Sequence, residues 1–215
     1  MNHYKLYIFD WDGTLMDSVG RIVSSMQAAA VLSHVAKPTS ENAKAIIGLS
    51  LATGIKQLFP EATNEQREAI FVHYRQQYLA FDTTPAELFE HTIELLTALK
   101  MQNKLVTIAT GKARNGLERV WAATKTKHFF DSSRTADDAE SKPHPDMIEQ
   151  LLAEFNVKAE DAVMIGDSNF DLQMAQAANV DRIGVTMGAG SKESLSVYQP
   201  KAIVDSIYQL ATLIV

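Results

Sequence analysis

Apolar and polar positions fall into two textures along this chain. From about residue 19 to residue 82 they recur at helical spacing in four stretches, RIVSSMQAAAVLSHV, SENAKAIIG, LATGIKQLF and NEQREAIFVHYRQQYLAF, divided by Pro38, Gly48 and Pro60. No strand stands out there. Beyond Pro85 the pattern alternates: a helix to about Gln102, the strand KLVTIAT at 104–110, a helix from Ala113, extended SSRTA at 132–136 and a helix from about Pro145. The strand AVMIG at 162–166, a helix, RIGVTM at 182–187, a helix near 192–197 and a last helix from about Asp205 complete it. Together with the apolar run at 6–9, this rhythm predicts a Rossmann-like parallel α/β sheet.

The intervening helices each carry one apolar face, as a covering layer requires. Met147, Ile148, Leu151, Leu152 and Phe155 form one such face, and Leu88, Leu95, Leu96 and Leu99 are read as another, all of them core. The helical stretch is therefore an expected insertion. Residues 1–17 and 85–215 are predicted to build the α/β core domain, and residues 18–84 an all-helical domain placed between its first strand and the rest.

Composition narrows the classes of function. The chain has 215 residues, 46% of them hydrophobic, enough for one generous core. Its net charge of −6 and the lack of any basic run speak against a nucleic-acid or anionic-membrane partner. With no cysteine there is no disulfide, zinc-thiolate site or cysteine nucleophile. Only a short apolar stretch follows Lys5 before Asp10, so no signal peptide is read and a cytoplasmic location is expected. LATLIV at 210–215 is too short for a membrane span and reads as the last turn of a core helix.

The first strand runs into two acids, Asp10 and Asp12, separated by Trp11. Strand alternation would send both to one side, where at ~5 Å and an effective dielectric of about 20 they repel by roughly 3 kcal/mol. Either one is protonated or a metal lies between them. Gly13 and Thr14 follow as a tight turn. Ligands of open parallel sheets gather beyond the carboxyl ends of the strands, and two further ends carry reactive groups. One ends in Thr110, Gly111 and Lys112; the other ends in Asp167 and Ser168, with Asp171 four residues past Asp167. Between them SKPHP places Lys142 just ahead of a helix. An all-oxygen acid set suits Mg²⁺, while a hydroxyl, an unobstructed amide and a fixed ammonium suit a phosphoryl group.

DWDGT, ATGK, SKPHP and GDSNFD stand in the order and spacing of the four motifs of the haloacid dehalogenase-like (HAD) superfamily, which this chain resembles over nearly its whole length. The helical insertion resembles that superfamily's C1 cap. DGTLMDS and TADDAESKPHPDM are similar to the phosphoglycolate-phosphatase-like branch of subfamily IA. The resemblance implies that Asp10 attacks phosphorus and carries an aspartyl phosphate, and that Asp12 protonates the leaving oxygen and then activates water. It implies Mg²⁺ held by an Asp10 oxygen, the Asp12 backbone carbonyl and Asp167, with Asp171 behind them or as an occasional ligand. Thr110, the Gly111 amide and Lys142 would grip the phosphoryl group, with the Trp11 amide beside it. The cap would close over a small phosphorylated metabolite.

Other readings sit beside these. Thr110 is also a candidate N-cap for the helix that follows it, and Asp171 a candidate cap or helix-dipole partner. Trp11 is a packing residue by its side chain. His3, His34, His73, His91, His128 and His144 lack metal-binding spacing and read as structural or surface residues. GAGS at 188–191 is read as a turn, and GLS at 48–50 as either a substrate-facing loop or a helix break. A phosphomutase would share the chemistry and return the phosphoryl group to substrate. A non-enzymatic phospho-switch would need an acceptor placed mid-chain.

Overall fold

The computed structural model describes residues 4–215. Its main sheet has six parallel strands in the order β5-β4-β1-β6-β7-β8. These are β1 (Leu6–Phe9), β4 (Leu105–Ala109), β5 (Ser132–Arg134), β6 (Ala162–Gly166), β7 (Asp181–Val185) and β8 (Ala202–Val204). β1 is central because all four of its side chains are apolar and fully buried. At ~1.5–3 kcal/mol for each buried side chain, no edge position would be as favourable. Tyr7 and Phe9 point into one apolar layer, Leu6 and Ile8 into the other.

Helices close both faces. α5 (Thr92–Met101), α6 (Arg114–Thr124) and α10 (Ile207–Ile214) cover the first through Leu95, Leu96, Leu99, Leu117, Trp121, Leu210 and Ile214. α7 (Asp146–Phe155) and α8 (Asn169–Ala177) cover the second through Met147, Ile148, Leu151 and Met174. The short α9 (Lys192–Ser196) lies between β7 and β8. No helix among the described residues is long and apolar enough to cross a membrane.

Between β1 and β4 the chain builds α1 (Val19–Leu32), α2 (Ser40–Lys44), α3 (Leu51–Leu58) and α4 (Asn64–Gln76), continued by a π-helical turn at Gln77–Phe81. Thr39, Ser50 and Thr63 cap the last three of these helices, Thr63 in a capping box with Gln66. They bury a core of their own around Met26, Ala29, Ala30, Ile46, Ile55 and Ile70.

Two short strands join this unit to the sheet: β2 (Met16–Asp17) pairs antiparallel with β3 (Glu87–Leu88). Leu88 therefore lies in a strand, not on the face of α5. Two-residue strands are too short for alternation to reveal, and β8 was missed at three residues for the same reason. The SENAKAIIG helix is also shorter than expected, ending at Lys44. His3 lies outside the described residues; the other five histidines are absent from the cluster of potential metal ligands.

Candidate active site

Renumbered by order in the main sheet alone, the strands run 3-2-1-4-5-6, and the order reverses between β1 and β6. The crevice at such a reversal is where open α/β sheets place ligands. Asp10 leaves β1 there, its amide donating to the Ile165 carbonyl of β6 at 2.9 Å. Its carboxylate is buried. Asp167 follows β6, and one oxygen from each of Asp10, Asp167 and Asp171 lies within 4.8 Å of the others.

Lys142 reaches this cluster from the segment before α7. Its buried Nζ stands 2.9 Å from Asp10 Oδ1 and 2.5 Å from Asp171 Oδ1. Asp171 is otherwise fully engaged: its Oδ2 accepts from the amide and the hydroxyl of Ser168 in the capping box that opens α8. It thus caps the helix and anchors the lysine together. Asp167 is held by the Thr14 hydroxyl at 2.9 Å and the Ala189 amide at 2.7 Å. The 188–191 turn, read from the sequence as no more than a turn, is therefore part of the site's framework. Gly13, at φ +77°, makes room for it; a Cβ there would lie 2.4 Å from Asp167 Oδ2.

The expectation that alternation sends the Asp10 and Asp12 carboxylates to one side is corrected here. The chain leaves the strand after Phe9 and bends through Trp11–Gly13, so alternation no longer governs Asp12. Its carboxylate turns to Ser18 Oγ at 2.5 Å and Lys112 Nζ at 2.8 Å. Two lysines, one for each acid, replace the single shared counter-charge. The sequence places Lys112 at a strand end but does not reveal its pairing with Asp12, since nothing in spacing marks a pair a hundred residues apart.

Thr110 is buried at the end of β4, its amide donating to the Arg134 carbonyl. It does not cap α6. Its hydroxyl accepts from the Lys112 amide, and Asp137 instead receives the Arg114 amide at the start of that helix. Trp11 is fully buried, donating to Met16 Sδ and packing edge-on against Phe130.

The 48–50 loop docks on the same strand ends. A Cβ on Gly111 would fall 2.4 Å from the Leu49 carbonyl oxygen, and one on Gly48 2.6 Å from Ser168 Oγ. The Ser50 amide donates to Ser141 Oγ at 3.0 Å. Beneath this loop lies a cavity of about 550 Å³ whose walls include Asp10, Asp12, Thr110, Gly111 and Lys112.

The charges of the site are frustrated. Burial, opposed by Lys142 and reinforced by Asp171, pushes the Asp10 carboxyl up to about 7. Burial, then the charges of Asp171 and Asp10, push Asp167 well above the usual carboxylate range. Burial disfavours the Lys142 ammonium, but the charges of Asp10 and Asp171 outweigh it and hold that group above the ordinary lysine value. Fully ionised, the three carboxylates against one ammonium would carry two negative charges, the complement of a divalent cation. Lys142 Nζ is the one polar side-chain partner of Asp10 Oδ1 among the described residues, an ion pair at 2.9 Å. A buried all-oxygen set of three converging carboxylates fits a hard divalent ion.

Comparison with known proteins bears on this arrangement. The family described as haloacid dehalogenase-like hydrolase matches residues 7–185. The chain belongs to this family. Probable phosphatase IndB of Dickeya dadantii (strain 3937) is 31% identical over 213 residues, covering 95% of this chain and 91% of that protein. Pyrophosphatase PpaX of Bacillus thuringiensis (strain Al Hakam) is 29% identical over 204 residues, covering 94% and 93%. A crystal structure of a predicted phosphoglycolate phosphatase from Haemophilus somnus 129pt superposes with a TM-score of 0.89 at 22% identity, over 99% of both chains, a likeness of fold. Like its haloacid dehalogenase-like relatives, the chain is a phosphatase.

Proposed function

We propose that this chain is a Mg²⁺-dependent phosphatase that hydrolyses a small phosphomonoester through an aspartyl phosphate on Asp10. The observation that carries this is the meeting of Asp10, Lys142, Asp167 and Asp171 in one buried cluster, with Asp12 held apart on Ser18 and Lys112. An Asp10 oxygen attacks phosphorus as the bond to the leaving oxygen breaks, and Asp12 gives that oxygen its proton. Asp12 then takes a proton from water as the water oxygen attacks phosphorus, releasing inorganic phosphate and restoring the Asp10 carboxylate. Thr110, the Gly111 amide and Lys142 hold the non-bridging oxygens, with the Trp11 amide beside them.

Asp10, Asp167 and the Asp12 backbone carbonyl are the proposed Mg²⁺ ligands. Asp171 stands behind them, holding Lys142. When bound, the ion neutralises charge on the transferring group. Residues 18–84 act as a cap on the core formed by 1–17 and 85–215, excluding water when the 48–50 loop is seated.

The test is release of inorganic phosphate from a broad set of phosphomonoesters. Turnover is expected with Mg²⁺ and not after chelation. Asp10→Asn should fall to background while keeping its fold, and Asp12→Asn should lose ~10²–10⁴-fold in kcat. Full activity of Asp10→Asn, or isomerised sugar phosphate in place of free phosphate, would refute the assignment.

A further inference from the structure

The cavity above Asp10 and Asp12 is much larger than a phosphoryl group needs. At about 550 Å³ it lies within the roughly 300–1,000 Å³ typical of sites that enclose whole ligands of drug size. Away from the carboxylates its walls include the apolar or aromatic side chains of Ile22, Met26, Ile47, Leu51, Phe71 and Tyr74.

α4 and its π-helical extension measure the depth. The Tyr78 ring lies 5.2 Å from Lys112 Nζ, which is paired with Asp12, so this end of the helix faces the chemistry. Tyr74 and Phe71 follow one and two turns back, about 10 Å along the axis at ~1.5 Å per residue. The two rings nearest the carboxylates, Tyr74 and Tyr78, lie 5.8 Å apart and tilted by 31°, a wall of aromatic faces. A two-carbon acid reaches only ~3 Å past its ester oxygen and would leave most of this wall in water.

Three arginines, Arg21, Arg75 and Arg119, also line the cavity. The Arg75 guanidinium stands 5.9 Å from the Phe71 ring, lines the cavity and has no carboxylate partner among the described residues. An apolar wall ending in an unpaired guanidinium suits a body that is apolar along its length and anionic at its tip.

Resting on the phosphatase reading, we propose that the substrate is the phosphomonoester of an alcohol with a ring-sized apolar body, carrying a carboxylate or similar anionic group at the end away from phosphorus. Phe71 and Tyr74 grip the body and Arg75 meets the anionic end.

The experiment compares kcat/KM for phosphoglycolate, benzyl phosphate and 4-carboxybenzyl phosphate with Mg²⁺, inorganic pyrophosphate serving as a fourth substrate. The three esters leave as primary alkoxides, which keeps the chemistry comparable. Benzyl phosphate should exceed phosphoglycolate by about tenfold or more. The 4-carboxyl group should add a further factor of about three to ten. Arg75→Gln should erase the second preference. Phe71→Ala should lower the ratio of benzyl phosphate to phosphoglycolate about tenfold, whereas a general loss of structure would depress both rates together. Phosphoglycolate or pyrophosphate turned over as well as benzyl phosphate overturns this inference and leaves the phosphatase reading standing. No phosphate from these four where another ester of the broad set is turned over overturns this inference alone, and no phosphate from any ester of that set, with the protein folded, overturns the phosphatase reading as well.

Discussion

Lys142 holds together a group of acids that would otherwise repel one another. Its Nζ bridges Asp10 and Asp171 with no access to solvent. Removing one partner from a buried ion pair costs about 3–5 kcal/mol, because the other charges stay behind uncompensated. Lys142→Met should accordingly lose about 3–5 kcal/mol in urea unfolding without metal, and added Mg²⁺ should restore part of it. At this scale the sequence was legible where reactive residues sit in short motifs at strand ends. Asp10, Thr110, Lys142 and Asp167 do come together in the crevice and its cavity. It was not legible where a side chain chooses its partner. Asp12 turns to Lys112, and Asp167 is seated by Thr14 and Ala189, contacts that depend on three-dimensional register and leave no trace in spacing.

The 48–50 loop is the element on which enclosure of the site depends, and its seat requires Gly111 to lack a side chain. A Cβ at 111 would press on two backbone carbonyls, those of Gly48 and Leu49, which unlike a flexible side chain cannot swing away. Gly111→Ala should therefore lift the loop and lower kcat/KM at least about tenfold. Thermal unfolding should move little, since the sheet core is untouched. Parallel rates for the variant and the wild type would show that the contact is idle. The longer helices and the main strands were readable because each repeats a pattern over several residues. β2, β3 and β8, at two or three residues each, were not. Nor was the π-helical turn that carries Tyr78 toward Lys112, because its residues read as a plain continuation of α4.

The molecule as a whole is tied at the two crossings between its helical unit and its sheet. Asp82, on the return path, accepts from Ser24 at 2.5 Å and Ser25 at 2.8 Å on the outward helix, and from the Thr84 amide at 2.9 Å. Arg21 donates to the Thr84 carbonyl at 2.5 Å. Burial works against the Asp82 charge, but the hydrogen bonds from Ser24, Thr84 and Ser25 outweigh it and hold the carboxyl down to about 2. A depressed carboxyl contributes stability in full above its unfolded value near ~4 and loses it as pH falls toward the folded value. Asp82→Asn should thus be less stable than wild type by about 1 kcal/mol at pH 7. That gap should narrow between pH 4 and pH 2 in urea unfolding; a gap independent of pH would rule out the carboxylate as its source.

Placing the chain's first strand at the middle of the sheet sets a timetable for synthesis. Residues 6–9 emerge from the ribosome well before their neighbours in the sheet, residues 105–108 and 162–165. At ~5–20 residues per second the Asp10 carboxylate waits roughly 8 to 30 seconds for Asp171. A product cut short before residue 162 contains Asp10 but neither Asp167 nor Asp171, so partial translation yields one acid of the cluster without the others. Throughout that wait an apolar ribbon, LYIF, has both hydrogen-bonding edges unpaired, the kind of segment that nascent-chain chaperones must shelter.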